Sequence, residues 1–204
     1  MKRIGITGPT GAGKTTALQA LAELDAHIID ADAVYHALLE SSATLRAELT
    51  ARFGPSILDG EGRVNRKALG GVVFGDPAAL AELNAITHRF ILEELERRTE
   101  AARAEEQGRS AVAIDAIALI ESGLGETCGA IVGILAPREL RIRRIMAREG
   151  ISEDYARKRV EAQQGDGFFR THCDYLLENR ADDTPEAFQA RAKQLFEQIL
   201  SNRN

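Results

Sequence analysis

The sequence contains few cysteines, no long apolar run and fewer basic than acidic residues, and each shortage excludes a class of protein. Cys128 and Cys173 are the two cysteines among 204 residues, which is too few for a disulfide framework or a cysteine zinc site. No apolar run approaches the roughly 18–20 residues of a membrane-spanning helix. No secretory signal is visible at the N-terminus. We therefore expect a cytoplasmic protein with no membrane partner.

The charge balance argues against a general nucleic-acid binder. The formal net charge is −5 and the isoelectric point is near 5.5, whereas proteins that bind nucleic acid are usually basic. Residues 138–159 are an exception, with eight cationic and four acidic side chains. Planar guanidinium groups suit phosphate. These charges favour small phosphate-bearing ligands and no nucleic-acid partner.

Short apolar runs alternate with helical patterns along most of the chain. Strand-like runs lie at 2–7, 27–30, 111–115 and 130–135, with a weaker run at 174–177. Helical patterns lie at 14–24, 138–148 and 152–164, and a last helix starts at Thr184-Pro185. This alternation is typical of an α/β fold, in which helices cover both faces of a parallel sheet.

One connection breaks this rhythm. About 80 residues separate the second strand from the third, where a simple crossover needs few more than about a dozen. The stretch has helical patterns, and its longest helix is marked by Leu80, Leu83, Ile86, Phe90 and Leu95 and runs towards Gly108. We interpret residues 33–108 as a helical insertion over the ligand edge of the sheet, within a single domain spanning residues 1–204.

The strongest motif is Gly8-Pro9-Thr10-Gly11-Ala12-Gly13-Lys14-Thr15, which fits G-x-x-x-x-G-K-[ST] at every fixed position. The glycines let the backbone wrap a phosphate closely, and the following helix adds its positive end. Lys14 is expected to reach the β- and γ-phosphates of a nucleoside triphosphate, and the Thr15 hydroxyl to bind Mg²⁺. We call residues 8–15 the phosphate loop.

Two other classes of phosphate-loop protein are open alternatives. A GTP-dependent switch is suggested by 59–62, which fits D-x-x-G, and by 179–182, one residue away from N-K-x-D. However, no strand precedes Asp59, and Arg180 replaces the lysine expected against guanine. An ATP-driven machine is suggested by the strand that ends at Asp115, but Ala116 follows it where a catalytic glutamate is expected. Both patterns are weaker than the pair of carboxylates Asp30 and Asp32.

Two carboxylates, Asp30 and Asp32, follow the second strand. The carboxyl end of a strand in an open parallel sheet faces the ligand crevice. A carboxylate at this place can accept the proton of a hydroxyl that receives a phosphoryl group. Asp32 fits that role better, because Asp30 is equally well placed to cap the following helix.

Several short strings along the chain form a pattern together with the phosphate loop and the two aspartates. They are 5–8, 11–16, 29–32, 53–54, 59–69, 73–74, 83–88, 159–163 and 174–175, with Arg144, Arg148 and Asn179. In these strings the sequence resembles the bacterial dephospho-coenzyme A kinases, and the resemblance covers nearly the whole chain. It implies a nucleoside-monophosphate-kinase-like fold with a five-stranded core, a helical substrate domain and a lid. It also implies that MgATP phosphorylates the ribose 3′-hydroxyl of dephospho-coenzyme A, the last step of coenzyme A biosynthesis.

The resemblance implies roles for individual residues. Asp32 would be the general base, assisted by Lys14, Arg144 and Arg148 at the transferring phosphate, and residues 138–165 would form the lid. The cofactor would be Mg²⁺, bound by Thr15 together with ATP. The implied ATP-binding residues are Gly8, Gly11, Ala12, Gly13, Lys14, Thr15, Thr16 and Asn179, and the implied substrate-binding residues are Asp30, Asp32, Arg66 and His88.

The chain departs from the family pattern at three places. It has no proline at 115–121, where the family often shows D-x-P-L-L-F-E, Arg89 replaces the proline after His88, and Arg141 replaces a frequent glutamine of the lid. These departures affect acceptor contact and lid closure more than the reaction class. The alternatives are another small-molecule kinase with a different hydroxyl acceptor or, less favoured, the GTP-dependent switch; the oligomeric state is open.

Overall fold

The computed structural model describes residues 1–104 and 109–202. Its strands are β1 (Lys2–Thr7), β2 (His27–Asp30), β3 (Ala111–Asp115), β4 (Ala130–Leu135) and β5 (Tyr175–Glu178), in the sheet order β2-β3-β1-β4-β5. The pairs β1–β3, β1–β4 and β4–β5 are parallel. The α/β class with a five-stranded parallel sheet is therefore confirmed.

Helices connect and cover these strands. They are α1 (Lys14–Ala22), α2 (Ala31–Ser41), α3 (Ala43–Phe53), α4 (Arg66–Val73), α5 (Pro77–Arg103), α6 (Arg138–Glu149), α7 (Glu153–Glu161), α8 (Asp166–His172) and α9 (Pro185–Ser201). Thr184 caps α9 and Pro185 occupies its first turn, as predicted. In the described ranges, no helix combines the length and the apolar character needed to cross a membrane.

The chain folds as two compact units, of which the first comprises Met1–Ile29 and Ala102–Asn204 and the second Asp30–Ala101. The first unit is built around the sheet. Ile4 and Ile6 of the central strand β1 are fully buried, and Phe188 and Phe196 of α9 belong to the same apolar cluster. Burial on both faces explains why these strands are continuous apolar runs instead of alternating patterns.

The second unit is helical. Leu45 and Leu49 of α3 and Ile57 of the short turn after it are fully buried in its core, and Leu83 of α5 packs in the same cluster. α5 carries the predicted apolar residues and ends at Arg103, short of the predicted end near Gly108. The last residues of the predicted insertion, 105–108, lie outside the described residues. The substrate-binding role of 33–108 and its position over the sheet stay predictions.

The helix predicted over 152–164 is longer than the helix that forms there. α7 begins after Ser152, whose side chain accepts from the Tyr155 amide, and it ends at Glu161. A separate helix, α8, starts after Gly165. Gly165 is the N-cap residue of α8, a position where glycine is well tolerated.

Candidate active site

The phosphate loop connects β1 to α1, and its backbone needs glycine. Gly8 and Gly13 have φ of 144° and 107°, values that side chains rarely tolerate. A Cβ on Gly8 would lie 2.2 Å from the Ile134 carbonyl oxygen, and one on Gly13 would lie 2.3 Å from the Asn179 amide nitrogen. The loop is therefore packed tightly against β4 and against the residue that follows β5.

Lys14 begins α1, where the amides of the first turn lack partners inside the helix. Its ammonium nitrogen lies 3.1 Å from a carboxylate oxygen of Asp115, and both side chains are largely buried. Thr15 is exposed at the same helix end. Sequence reasoning did not include Asp115 in the site, although its place at the end of β3, the neighbour of β1, was a usable signal.

Three successive carbonyls of the loop are each held by a side chain. Two donors lie on α6 and one directly after β5, so the donors come from chain far from the loop in sequence. Since a peptide group is planar, an anchored carbonyl also fixes the direction of the amide bonded to it. The pairs are Arg141 Nε to Thr10 O (3.0 Å), Arg144 Nη1 to Gly11 O (3.2 Å) and Asn179 Nδ2 to Ala12 O (3.1 Å).

Asn179 and Arg144 are two predicted site residues that the structure brings to the loop. Asn179 is only 4% exposed, and its side-chain oxygen accepts a hydrogen bond from Arg144 Nη2 at 3.2 Å. Burial lowers the pKa of Arg144, and the carboxylate of Asp183 partly offsets this effect. An arginine stays charged under such shifts, so Arg144 places a cation beside the phosphate loop.

A cavity of about 210 Å³ lies beside Asn179. It opens between the end of β4, helix α8 and the chain after β5, and an ion pair between Arg170 and Glu178 lies at its wall. Leu135, Ala136, Pro137 and Arg180 also line the cavity. A lining of apolar residues with a few polar groups is typical of small-molecule sites.

The predicted lid segment contains α6 and α7, which pack through Ile142, Ile145, Ala156 and Val160. Arg157 of α7 makes two hydrogen bonds of 2.9 Å to the Glu139 carboxylate of α6, and this contact lowers the pKa of Glu139. Arg148 lies exposed near the end of α6, where it pairs with Glu149 at 2.6 Å. The catalytic role of Arg148 and the lid function stay predictions.

The remaining predicted site residues lie in the second unit, starting with the two aspartates. β2 ends at Asp30, whose carboxylate caps α2 by accepting from the Ala33 amide at 2.9 Å. Asp32 follows in the first turn of α2 and is exposed. Asp30 is thus engaged in its own helix end, whereas the Asp32 carboxylate faces solvent.

Arg66 and His88 were predicted to bind substrate. Arg66 is the exposed first residue of α4, and its charge acts on the half-buried hydroxyl of Tyr35: burial raises the pKa of Tyr35 and Arg66 opposes that rise. His88 lies on α5, and burial lowers its pKa. In the described part of the chain, its buried Nε2 has no hydrogen-bond partner. The neighbouring Arg89 forms an ion pair with Glu48.

The family model described as dephospho-CoA kinase (CoaE) matches residues 2–184. The chain belongs to the dephospho-CoA kinase family. This membership confirms the resemblance and the kinase class, and it argues against the GTP-dependent switch and the ATP-driven machine.

Curated relatives match the chain over its full length. A dephospho-CoA kinase of Dehalococcoides mccartyi is 36% identical over 97% of this chain and 99% of its own. The corresponding protein of Corynebacterium diphtheriae is 34% identical over 98% of both chains. Among solved structures, the crystal structure of TT1252 from Thermus thermophilus has a TM-score of 0.79 and 29% identity, covering 98% of both chains. The family pattern therefore extends through both compact units.

Proposed function

We propose that this protein transfers the γ-phosphoryl group of ATP to the ribose 3′-hydroxyl of dephospho-CoA and releases coenzyme A and ADP, the last step of coenzyme A biosynthesis. The observation that carries this proposal is the full-length similarity to curated dephospho-CoA kinases. In the reaction a bond forms between the 3′-oxygen and the γ-phosphorus, and the bond from that phosphorus to the β-phosphate oxygen breaks. The hydroxyl proton goes to a base.

The phosphate loop holds ATP in this proposal. The loop amides and the start of α1 surround the phosphates, and Lys14 carries its charge to the β- and γ-phosphates. The Asp115 carboxylate at the end of β3 pairs with the Lys14 ammonium at 3.1 Å. The adenine base occupies the cavity beside Asn179, while the Asn179 side chain itself fixes the loop backbone.

A magnesium ion fits the donors that the loop offers. Mg²⁺ retains several waters and takes one or two protein oxygens together with substrate phosphates. The exposed Thr15 hydroxyl and the Asp115 carboxylate are such oxygens. In the described ranges, no group of three or more histidine, cysteine, aspartate or glutamate side chains forms an all-protein cage, which agrees with an ion that arrives with ATP. Bound there, it neutralises charge on the phosphate oxygens.

Asp32 is the proposed general base. It is the exposed carboxylate at the end of β2, and the neighbouring Asp30 is engaged in capping α2. Accepting the 3′-hydroxyl proton makes the attacking oxygen a better nucleophile. Arg144 and Arg148 add positive charge at the transferring group, and closure of residues 138–165 excludes water, which would otherwise hydrolyse ATP.

Acceptor binding is assigned to the helical unit. Arg66 is an exposed cation that suits the diphosphate of the acceptor. Burial lowers the pKa of His88 and so favours its neutral form. Its Nε2, which has no hydrogen-bond partner among the described residues, suits a hydrogen bond with the substrate. Both residues lie in the unit that the phosphate loop does not belong to. ATP and dephospho-CoA are the only partners we propose, and we place the reaction in the cytoplasm.

A coupled assay of ADP release tests the proposal. The purified chain is incubated with MgATP and dephospho-CoA, and parallel reactions contain adenosine, shikimate, gluconate or no acceptor. We expect release that depends on dephospho-CoA, formation of coenzyme A, loss of activity with excess EDTA, and a preference for ATP over GTP. Equal or faster transfer to one of the small acceptors would overturn the substrate assignment and favour another small-molecule kinase.

A further inference from the structure

The amide, the carbonyl and the hydroxyl of Thr10 in the phosphate loop all form hydrogen bonds with two side chains that are distant in sequence. Gln163 Oε1 accepts from the Thr10 amide at 3.1 Å, and Gln163 Nε2 donates to the Thr10 hydroxyl at 2.9 Å. Arg141 Nε donates to the Thr10 carbonyl at 3.0 Å. Thr10 is therefore held by side chains that lie outside the phosphate loop.

Arg141 and Gln163 also bind each other, because Arg141 Nη2 donates to Gln163 Oε1 at 2.8 Å. The three residues thus close a ring of hydrogen bonds, which we call the Thr10 clasp. Arg141 lies on α6 and Gln163 lies two residues beyond the end of α7. The backbone of α6 touches the loop as well, since a Cβ on Gly11 would lie 2.9 Å from the Arg141 carbonyl oxygen.

Arg141 is an unusual residue to find in this place. It is only 4% exposed, and its hydrogen bonds in the clasp go to a backbone carbonyl and an amide instead of a carboxylate. Burial lowers the pKa of Arg141, and the carboxylate of Asp166 partly opposes this. A buried charge gains little stability over a well-packed apolar side chain. Fold stability alone does not explain an arginine at this position.

We propose that Arg141 is a positioning residue for the nucleotide: through the Thr10 clasp it keeps the loop amides aimed at the phosphates before ATP arrives. Donors that are already oriented require no reorganisation when the anion binds. The inference rests on the proposed function only in taking ATP as the ligand. Arg141 touches the loop and not the reacting atoms, so its loss should affect ATP binding before it affects acceptor binding.

Calorimetric titration of the full chain with MgATP, without acceptor, measures this directly. We expect Arg141→Ala to weaken MgATP binding by about 10-fold, the effect of losing one or two hydrogen bonds to a fixed loop. The KM for dephospho-CoA should stay within about twofold. Arg141→Lys should restore part of the affinity, because a lysine can reach the Thr10 carbonyl but cannot also bind Gln163.

A second variant keeps the test valid if Arg141→Ala fails to fold. Gln163 is only half-buried, and Gln163→Ala should weaken MgATP binding by about three- to 10-fold. In the double variant the two effects should be less than additive, since both residues act through the same ring. Arg143→Ala is the matched control, because Arg143 lies exposed on the same helix, and it should leave ATP affinity unchanged.

Two results would overturn the proposal. One is unchanged MgATP affinity in a folded Arg141→Ala or Gln163→Ala variant. The other is a parallel rise in the KM of both substrates together with a lowered melting temperature, which is what a purely structural residue produces. A wild-type chain that binds MgATP but does not phosphorylate dephospho-CoA would refute the proposed function, while the titrations would still decide the role of the clasp.

Discussion

The two compact units present their candidate residues in opposite ways. In the unit of Met1–Ile29 and Ala102–Asn204, residues that hold the phosphate loop are buried and hydrogen-bonded, as Asn179 and Arg141 illustrate. In the unit of Asp30–Ala101, Asp32 and Arg66 are exposed. One unit holds backbone amides in a fixed frame, and the other offers side chains to solvent.

The difference agrees with what each unit is proposed to bind. Phosphate is bound by a ring of amides, which works only if the loop conformation is fixed in advance. A large flexible acceptor is distinguished by individual side chains, which adjust when it binds. Substitutions in the first unit should therefore reduce ATP binding and catalysis together. Substitutions in the second should impair catalysis or acceptor binding while ATP binding is retained.

The largest effect is expected for Lys14→Ala. Removing the cation at the β- and γ-phosphates should lower kcat/KM by about 10³-fold, because both binding and charge stabilisation are lost. Steady-state assays over a wide range of MgATP concentrations measure this loss of kcat/KM. Lys193→Ala is the control, since Lys193 forms only a surface ion pair of 3.6 Å with Glu23. Recovery of activity at high MgATP would show that Lys14 contributes binding alone.

Asp32→Asn should lower kcat by about 10²-fold while leaving MgATP affinity intact, the usual scale for a positioned base. Asp30→Asn is a matched control two residues away, because asparagine caps a helix as well as aspartate does and the cap on Ala33 would persist. Single-turnover rates of both variants make the comparison. A large loss of rate in Asp30→Asn together with a small loss in Asp32→Asn would assign the role of base to Asp30 instead of Asp32.

Arg66→Ala should raise the KM for dephospho-CoA by about 10-fold and leave the KM for ATP within about twofold, the effect of losing one charged contact with a diphosphate. Arg52→Ala serves as the control in the same unit, because Arg52 is paired with Glu82 at the surface. Initial rates with each substrate varied in turn provide the numbers. A rise in the KM for ATP alone would contradict the placement of Arg66 in the acceptor site.

The smallest effect concerns the pH dependence of stability. Burial lowers the pKa of folded His88 below its ordinary value of 6.5, so the unfolded chain binds this proton more readily. Its contribution to stability is complete above about pH 6.5 and is lost as the pH falls towards the lowered pKa. Melting temperatures between about pH 7 and pH 5 should fall less in His88→Asn than in wild type. An identical fall in both proteins would contradict the assignment.

Much of the fold could be predicted because its signals are local. The strands were evident because buried parallel strands are continuous apolar runs, and the phosphate loop because only glycine adopts backbone angles such as those of Gly8 and Gly13. The end of α7 and the separate α8 were less predictable, since a short helix depends on its packing more than on its own propensity. The roles of Asp32, Arg66 and His88 remain predictions.

The sequence by itself determined the sheet, the phosphate loop and the family, because each is encoded by neighbouring residues in a fixed order. Only the tertiary structure decided which side chains hold the loop. Arg141 is 131 residues from Thr10 and Gln163 is 153 residues from it, and Asp115 meets Lys14 because β3 lies beside β1. Nothing in a local pattern distinguishes an arginine that is buried against a backbone carbonyl from an arginine in solvent. That distinction arises when distant segments pack together and exclude water.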